Sequence, residues 1–289
     1  MSRVIFILGK GGSGKTTTSV TLAREFAEAG YRTEIISLDP AHNLGGVIGM
    51  PLGDAPQKIS ENILGREINL EQRISNSLLE LMGEMKKKYR YLSTIHFDSI
   101  FQLFKKSPGN EETVLAETLY EILLESKTNT DYSILDMPPT GMALRILGLP
   151  GSLAQWSVLL HGMRREMDSK KKVIERIHKT ESKEDELLQN LGTQTNKWKN
   201  LEKAIQGAWF HGMLTGDDLS LDELKTIRSE LAENGMSLRS ASLNCVHCSS
   251  TNPAETAQRL QKEFSIPIFF PKKKEETGGL SAAILSPPA

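Results

Sequence analysis

The chain has 289 residues, 38% of them hydrophobic and 25% charged, which is enough apolar material for one large α/β domain, or for a domain with a sizeable insertion. Its 35 Lys and Arg nearly cancel its 36 Asp and Glu, so no global basic field exists to hold nucleic acid. Two cysteines point to a reducing, cytoplasmic setting; the first apolar run is too short for a signal peptide, and with no unbroken run of about 18 apolar residues no transmembrane segment is expected.

Residues 3–8 (RVIFIL) form an apolar run of strand length, rich in β-branched and aromatic residues. Residues 9–17 read GKGGSGKTT and satisfy G-x-x-x-x-G-K-[ST]. Gly11, Gly12, Ser13 and Gly14 let successive backbone N–H groups curl inward around phosphate oxygens. Lys15 adds a charge that reaches the β- and γ-phosphates, and Thr16 offers a hydroxyl to Mg²⁺. Thr17 continues the helix whose positive dipole end faces the same anion. A helix-length, largely apolar stretch follows to Gly30, so strand, glycine loop and helix stand in the order the motif requires. Lys10 makes the loop the K-G-G-x-G-K-T variant and carries more charge than one nucleotide needs. In dimers with this variant the extra lysine reaches the partner's phosphates.

Residues 33–38 (TEIISL) read as a second strand ending at Asp39, where Pro40 stops it. Loops after parallel strands form the ligand crevice, so Asp39 is expected near the phosphate loop. A carboxylate there can orient or deprotonate a water attacking the γ-phosphate; the plainer role is capping the next helix. Gly45 and Gly46 leave that loop free to move between nucleotide states. Residues 63–68 suggest a weaker third strand. From Leu70 the pattern turns helical, with Ile74, Leu78, Leu79, Leu81, Met82 and Met85 assigned to one face. Phe97, Ile100, Phe101 and Phe104 continue a helical stripe, broken at Ser107 to Asn110, and a further helix starts at Glu111.

Residues 132–135 (YSIL) form a strand ending in Asp136, where an NTPase holds Mg²⁺, usually through water. Met137-Pro138-Pro139-Thr140-Gly141 follows at once. Its Gly141 N–H is placed to sense a γ-phosphate, as a switch ordered by triphosphate. Leu153, Trp156, Leu160, Met163 and Met167 then recur at helical spacing, and residues 168–203 are polar enough for a mobile or solvated helical hairpin. Residues 207–214 and 240–243 read as strands, the second ending at Asn244, and residues 266–271 as a last one. Asn244-Cys245-Val246-His247 lacks the lysine and aspartate of a guanine reader, which favours ATP.

Three stretches together, GKGGSGKTT, DPAHNL and DMPPTGMALRILGLP, resemble the ArsA-type ATPases, which include arsenite-pump and tail-anchored-protein-targeting ATPases. PGNEE at 108–112 and GDDLSL at 216–221 resemble further landmarks of that family. The resemblance implies a P-loop NTPase fold, a mostly parallel sheet flanked by helices. It implies one ATPase domain over residues 1–289, with a helical subdomain from about 70–127 and 151–205 inserted in it. It also implies a Mg²⁺-dependent ATPase working as a homodimer, cytoplasmic or peripheral at a membrane partner. Lys15 and Thr16 would bind phosphate and Mg²⁺, Lys10 would cross the dimer interface, and Asp39 would activate water. Asp136 would be the metal-side carboxylate, with Asp39 also counted toward the metal, Gly141 part of the second switch, and Asn244 the adenine contact. In the targeting members a helical subdomain near 151–205 forms an apolar groove for a client helix, for which methionines are suited.

Three outputs stay open: delivery of a hydrophobic client, energising an anion or metalloid pump, and nucleotide-gated regulation with little catalysis. Cys245 and Cys248 are too few for a metalloid site of the pump kind. They are out of register with the family's zinc-sharing C-x-x-C, although two thiolates from each protomer would suffice for zinc.

Overall fold

The computed structural model describes residues 3–41, 44–88, 109–178, 185–215, 217–244, 253–271, 277 and 279–286. The stripe expected at Phe97 to Phe104, and Cys245 with Cys248, lie outside these residues.

Eight strands form one sheet: β1 Arg3–Gly9, β2 Thr33–Ser37, β3 Gln57–Ser60, β4 Ile63–Glu67, β5 Tyr132–Asp136, β6 Trp209–Leu214, β7 Leu238–Leu243 and β8 Ile268–Phe269. Their spatial order is β3-β4-β2-β5-β1-β6-β7-β8. All neighbours run parallel except β3, which pairs antiparallel with β4 at one edge. The helices are α1 Lys15–Glu28, α2 Leu44–Ile48, α3 Leu70–Lys88, α4 Asn110–Asn129, α5 Thr140–His178, α6 Glu186–Gln206, α7 Asp218–Glu233, α8 Pro253–Phe264 and α9 Leu280–Leu285. This is the mostly parallel α/β sheet flanked by helices that the glycine loop and its flanks imply.

The central strands are buried on both faces, so they read as continuous apolar runs rather than alternating ones. Strand periodicity still divides them. Ile5, Ile7, Ile35, Ile134 and Met213 meet Val20, Leu22 and Phe26 of α1 and Leu280 and Ile284 of α9. Phe6, Leu8, Ile36, Leu135, Phe210 and Leu214 turn the other way, toward α3 to α7. Phe6 and Phe210 stack at 5.1 Å across β1 and β6.

Several expectations change. The stretch at 63–68 is an inner strand, held between β2 and β3. The expected last strand shrinks to two paired residues beside β7. On α3, Ile74 and Leu78 are buried but Leu79 is 59% exposed, because its neighbour in sequence lies about 100° round the helix. α5 runs unbroken from Thr140 to His178 with Pro150 inside it. Its first part belongs to the core, through Ala143, Ile146, Leu147 and Ala154. The polar stretch up to 203 is not wholly solvated: Trp198, Leu201 and Ile205 of α6 are buried, at a spacing of three and four.

α5 is also long and apolar enough over part of its length to cross a membrane, by length and composition alone. The core helix of a folded domain meets the same criterion, so this does not overturn the expectation of no transmembrane segment. Interspersed polar residues hide such a window from a search for consecutive apolar ones, and 39% of it is buried against the rest of the chain.

Candidate nucleotide site

The C-terminal ends of β1, β2 and β5 converge where a parallel sheet opens its crevice. The loop after β1 bends through positive φ at Gly12 (78°) and Gly14 (95°), conformations that a side chain would strain. A Cβ on Gly9 would lie 2.7 Å from the Met213 carbonyl of β6, and one on Gly14 would lie 2.8 Å from Asn244 Nδ2. These two glycines are therefore required by close approach as well as by the turn.

Lys15 is buried, and its Nζ donates to the Lys10 carbonyl at 3.2 Å, inside the loop's own ring. Thr16 Oγ1 donates to Asp136 Oδ2 at 2.6 Å, fastening the start of α1 to the end of β5. Thr17 sits half-buried in the same turn. Asn244 Nδ2 donates to the Ser13 carbonyl at 3.1 Å, so the residue after β7 braces the loop. Gly11 and Gly12 are exposed, and Gly141 lies exposed in the first turn of α5.

Asp136 is fully buried, and that burial pushes its carboxyl up to about 6. The Thr16 hydrogen bond and the Lys15 charge pull it down, and the charges of Asp39 and Glu67 push it up. Asp39 is thus electrostatically coupled to Asp136. It is half-buried, and its Oδ1 accepts from the Ala41 N–H at 3.0 Å, a local turn rather than a helix cap. Lys10 is half-buried and lies within electrostatic reach of Asp217, the N-cap of α7. Hydrogen bonds from Thr215 and Ser220 hold that carboxyl below its usual range, and Lys10 adds to the effect.

Toward this end of the sheet, Ser13 Oγ, Ser37 Oγ, Asp136 Oδ1 and Thr140 Oγ1 are buried with no hydrogen-bond partner among the described residues. Buried polar atoms are normally paired, so a set left over at one crevice fits a site built for a polar guest. These residues and the glycine cradle suit a nucleoside triphosphate with Mg²⁺. Among the described residues no group of three or more His, Cys, Asp or Glu is placed to hold a metal. Mg²⁺ in nucleotide sites needs no such cluster, since it takes one or two protein oxygens and otherwise rests on phosphates and water. It gives the zinc expectation no support, and Cys245 and Cys248 fall outside the described residues.

The sequence-derived site residues therefore gather at one end of the sheet, with Lys10 at its rim. Glu67, Ser37 and Thr140 were missed. Glu67 and Ser37 end strands that open on the crevice, which was the available signal.

The profile of the anion-transporting ATPases matches residues 2–265. The putative arsenical pump-driving ATPase 2 of Aquifex aeolicus is 27% identical over 262 residues, covering 90% of this chain and 85% of that protein. ATPase get3 of Schizosaccharomyces japonicus is 34% identical over 162 residues, 55% of this chain and 47% of that protein. The ATPase ASNA1 homolog 1 of Paramecium tetraurelia is 36% identical over 148 residues, 50% of this chain and 43% of that protein. The matches thus span most of the Aquifex protein but about half the length of the other two.

Proposed function

The chain belongs to the anion-transporting ATPase family, an ATP hydrolase by class, and from that premise we propose a nucleotide-switched homodimer that binds and releases a hydrophobic client. The observation that carries the nucleotide chemistry is the 2.6 Å bond from Thr16 to a buried Asp136, whose Oδ1, like Ser13 Oγ in the glycine loop, has no hydrogen-bond partner among the described residues. In this proposal the N–H groups from Gly11 to Thr17 cradle the phosphates. Lys15 exchanges the Lys10 carbonyl for phosphate oxygens, and Asn244 contacts the adenine while bracing the loop. Thr16 and Asp136 would hold Mg²⁺, Asp136 through water, and the ion would spread the charge that develops on the transferred phosphoryl group. Asp39 orients and deprotonates the attacking water. Lys10 reaches the partner's phosphates, and Gly141 reports the γ-phosphate to α5.

The client reading is supported by α5. Trp156 is 62% exposed, Met163 56% and Met167 58%, with Val158, Leu159 and Leu160 exposed between them. Apolar exposure on this scale marks an interaction surface, and methionine repacks around different partners. A cytoplasmic site of action, with peripheral contact at a membrane partner, belongs to the same proposal. The competing proposal, energising an anion or metalloid pump, draws on the name of the Aquifex relative; lack of stimulation of hydrolysis by arsenite would weigh against it.

Asp39→Asn is expected to keep nucleotide affinity and lose about 10²–10⁴-fold in turnover, the usual worth of a general base. Wild-type turnover in that variant ends the Asp39 assignment. Lys10→Ala is expected to stay monomeric with Mg²⁺ and a non-hydrolysable ATP analogue at saturation. If the wild type also remains monomeric under those conditions, the dimer falls.

A further inference from the structure

Ile7, Asp136, Ser37 and Glu67 stand in one row across the sheet. Asp136 is in register with Ile7, and Ser37 is in register with both Asp136 and Glu67. Residues in register on parallel strands project to the same face, and Ile7 packs in the cluster built around α1. The row therefore lies on the face that carries the phosphate loop, at its C-terminal rim. Neighbouring strands are about 4.8 Å apart, so Glu67 stands roughly 10 Å from Asp136, with Ser37 between them. Arg66, next in sequence, turns to the opposite face and pairs with Glu34 at 3.0 Å and Glu125 at 2.9 Å.

Glu67 is 8% exposed, and its Oε1 accepts from the Gly45 N–H at 3.0 Å. Gly45 lies in α2, six residues after Asp39. A Cβ on Gly45 would come 2.8 Å from the Met50 carbonyl and 3.5 Å, an ordinary van der Waals contact, from Glu67 Oε2, so the segment turns tightly on itself with this carboxylate beside it. The Glu67 N–H in turn donates to the Gly53 carbonyl at 3.0 Å, which holds the far end of the same excursion. A charged acceptor makes the stronger kind of backbone hydrogen bond.

We propose that Glu67 is a positioning residue for hydrolysis: it ties the Asp39-bearing segment, through the Gly45 N–H, to the strand row that holds Asp136. Glu67 acts through its bond to the Gly45 N–H rather than as a reacting group. It sets where Asp39 stands relative to the phosphate loop, and a misplacement of about 1 Å at such a point costs on the order of 10²-fold in rate. The proposal rests on the Asp39 assignment for its kinetic consequence, but the tether itself does not.

The test compares Glu67→Ala, Glu67→Gln and Asp39→Asn in the full chain. Glu67→Ala is expected to lower kcat about 10²-fold with the affinity for a non-hydrolysable ATP analogue nearly unchanged. Glu67→Gln keeps an oxygen acceptor and is expected to recover most of the rate. Hydrogen exchange of the peptide containing Gly45 should quicken in Glu67→Ala and return toward wild type in Glu67→Gln. Unchanged exchange in Glu67→Ala overturns the tether, whatever Asp39 does. Equal loss of kcat and nucleotide affinity in both Glu67 variants overturns it as well, because that is what a general structural defect gives. If exchange quickens while kcat holds, the tether exists but positions nothing, and the proposal fails. Wild-type turnover in Asp39→Asn instead removes the Asp39 assignment and leaves the exchange result standing.

Discussion

Asp136→Asn is expected to make the nucleotide-free protein more stable while weakening its Mg²⁺-dependent binding of nucleotide. Asp136 has no exposed surface, and burial holds its carboxyl at about 6 rather than 3.8. At pH 8 the group is ionised in both the folded and unfolded chain, and at about 1.4 kcal/mol per tenfold this difference destabilises the fold by about 3 kcal/mol. Asparagine keeps an oxygen to accept the Thr16 hydroxyl and removes the charge. Its amide nitrogen replaces the unpartnered Oδ1, and leaving that nitrogen without an acceptor returns roughly 1 kcal/mol of the gain. The net expectation is about 2 kcal/mol, or about 3 °C in Tm for a chain of this size.

The sign follows from proton counts. Between pH 4 and 6 the folded carboxyl binds a proton that the unfolded one does not, so this residue's contribution to stability falls as pH rises through that window and is level above it. The advantage of the variant should therefore be full at pH 8 and vanish near pH 4. Urea unfolding of both proteins in EDTA without nucleotide, at several pH values, measures this difference directly. A variant no more stable than wild type at pH 8, or an advantage that persists undiminished to pH 4, refutes the reasoning. Magnesium and nucleotide together should narrow or reverse the difference, because they bind more tightly where the carboxylate is present.

Gly14→Ala must hold φ at 95° and place a Cβ 2.8 Å from Asn244 Nδ2, so it should cost about 1–3 kcal/mol and most of the nucleotide affinity; a fluorescent ATP analogue bound as tightly as by wild type would contradict this. His211 is wholly buried between the Ser240 and Ser242 hydroxyls, and burial lowers its pKa to about 3. The unfolded imidazole takes up a proton below 6.5 while the folded one does not, so its contribution to stability is lost as pH falls from 6.5 toward 3, by roughly 1.4 kcal/mol per unit. That slope should be shallower in His211→Gln, and an unchanged slope in acid unfolding would place the effect elsewhere. Met163→Ser combined with Met167→Ser should change stability by no more than about 0.5 kcal/mol, since both side chains are exposed, yet reduce capture of an apolar helical peptide. A loss of several kcal/mol in thermal unfolding would show that they pack within the chain.

The nucleotide site was legible because its chemistry is local. A glycine loop, its lysine and its threonine are adjacent in the chain, so spacing alone identified Gly9 to Thr17, and the proline after Asp39 and the prolines after Asp136 marked where strands stop. The family resemblance added Asn244 and the dimer expectation to this.

What depended on distance in space was not legible. Glu67 ends a strand that looked weak, and its row with Ser37 and Asp136 exists only once β4 takes its place beside β2. The apolar positions from Leu153 to Met167 showed helical spacing, but only the fold shows that α5 carries that stripe from the core into solvent. Trp198, Leu201 and Ile205 were hidden in a charged stretch, because three apolar residues on one helix face become core only when another surface lies opposite them. Sequence thus determined the groups that bond to neighbours along the chain. Tertiary structure decided which polar ends share a crevice and which apolar faces are left uncovered, because burial is a property of what lies across the gap.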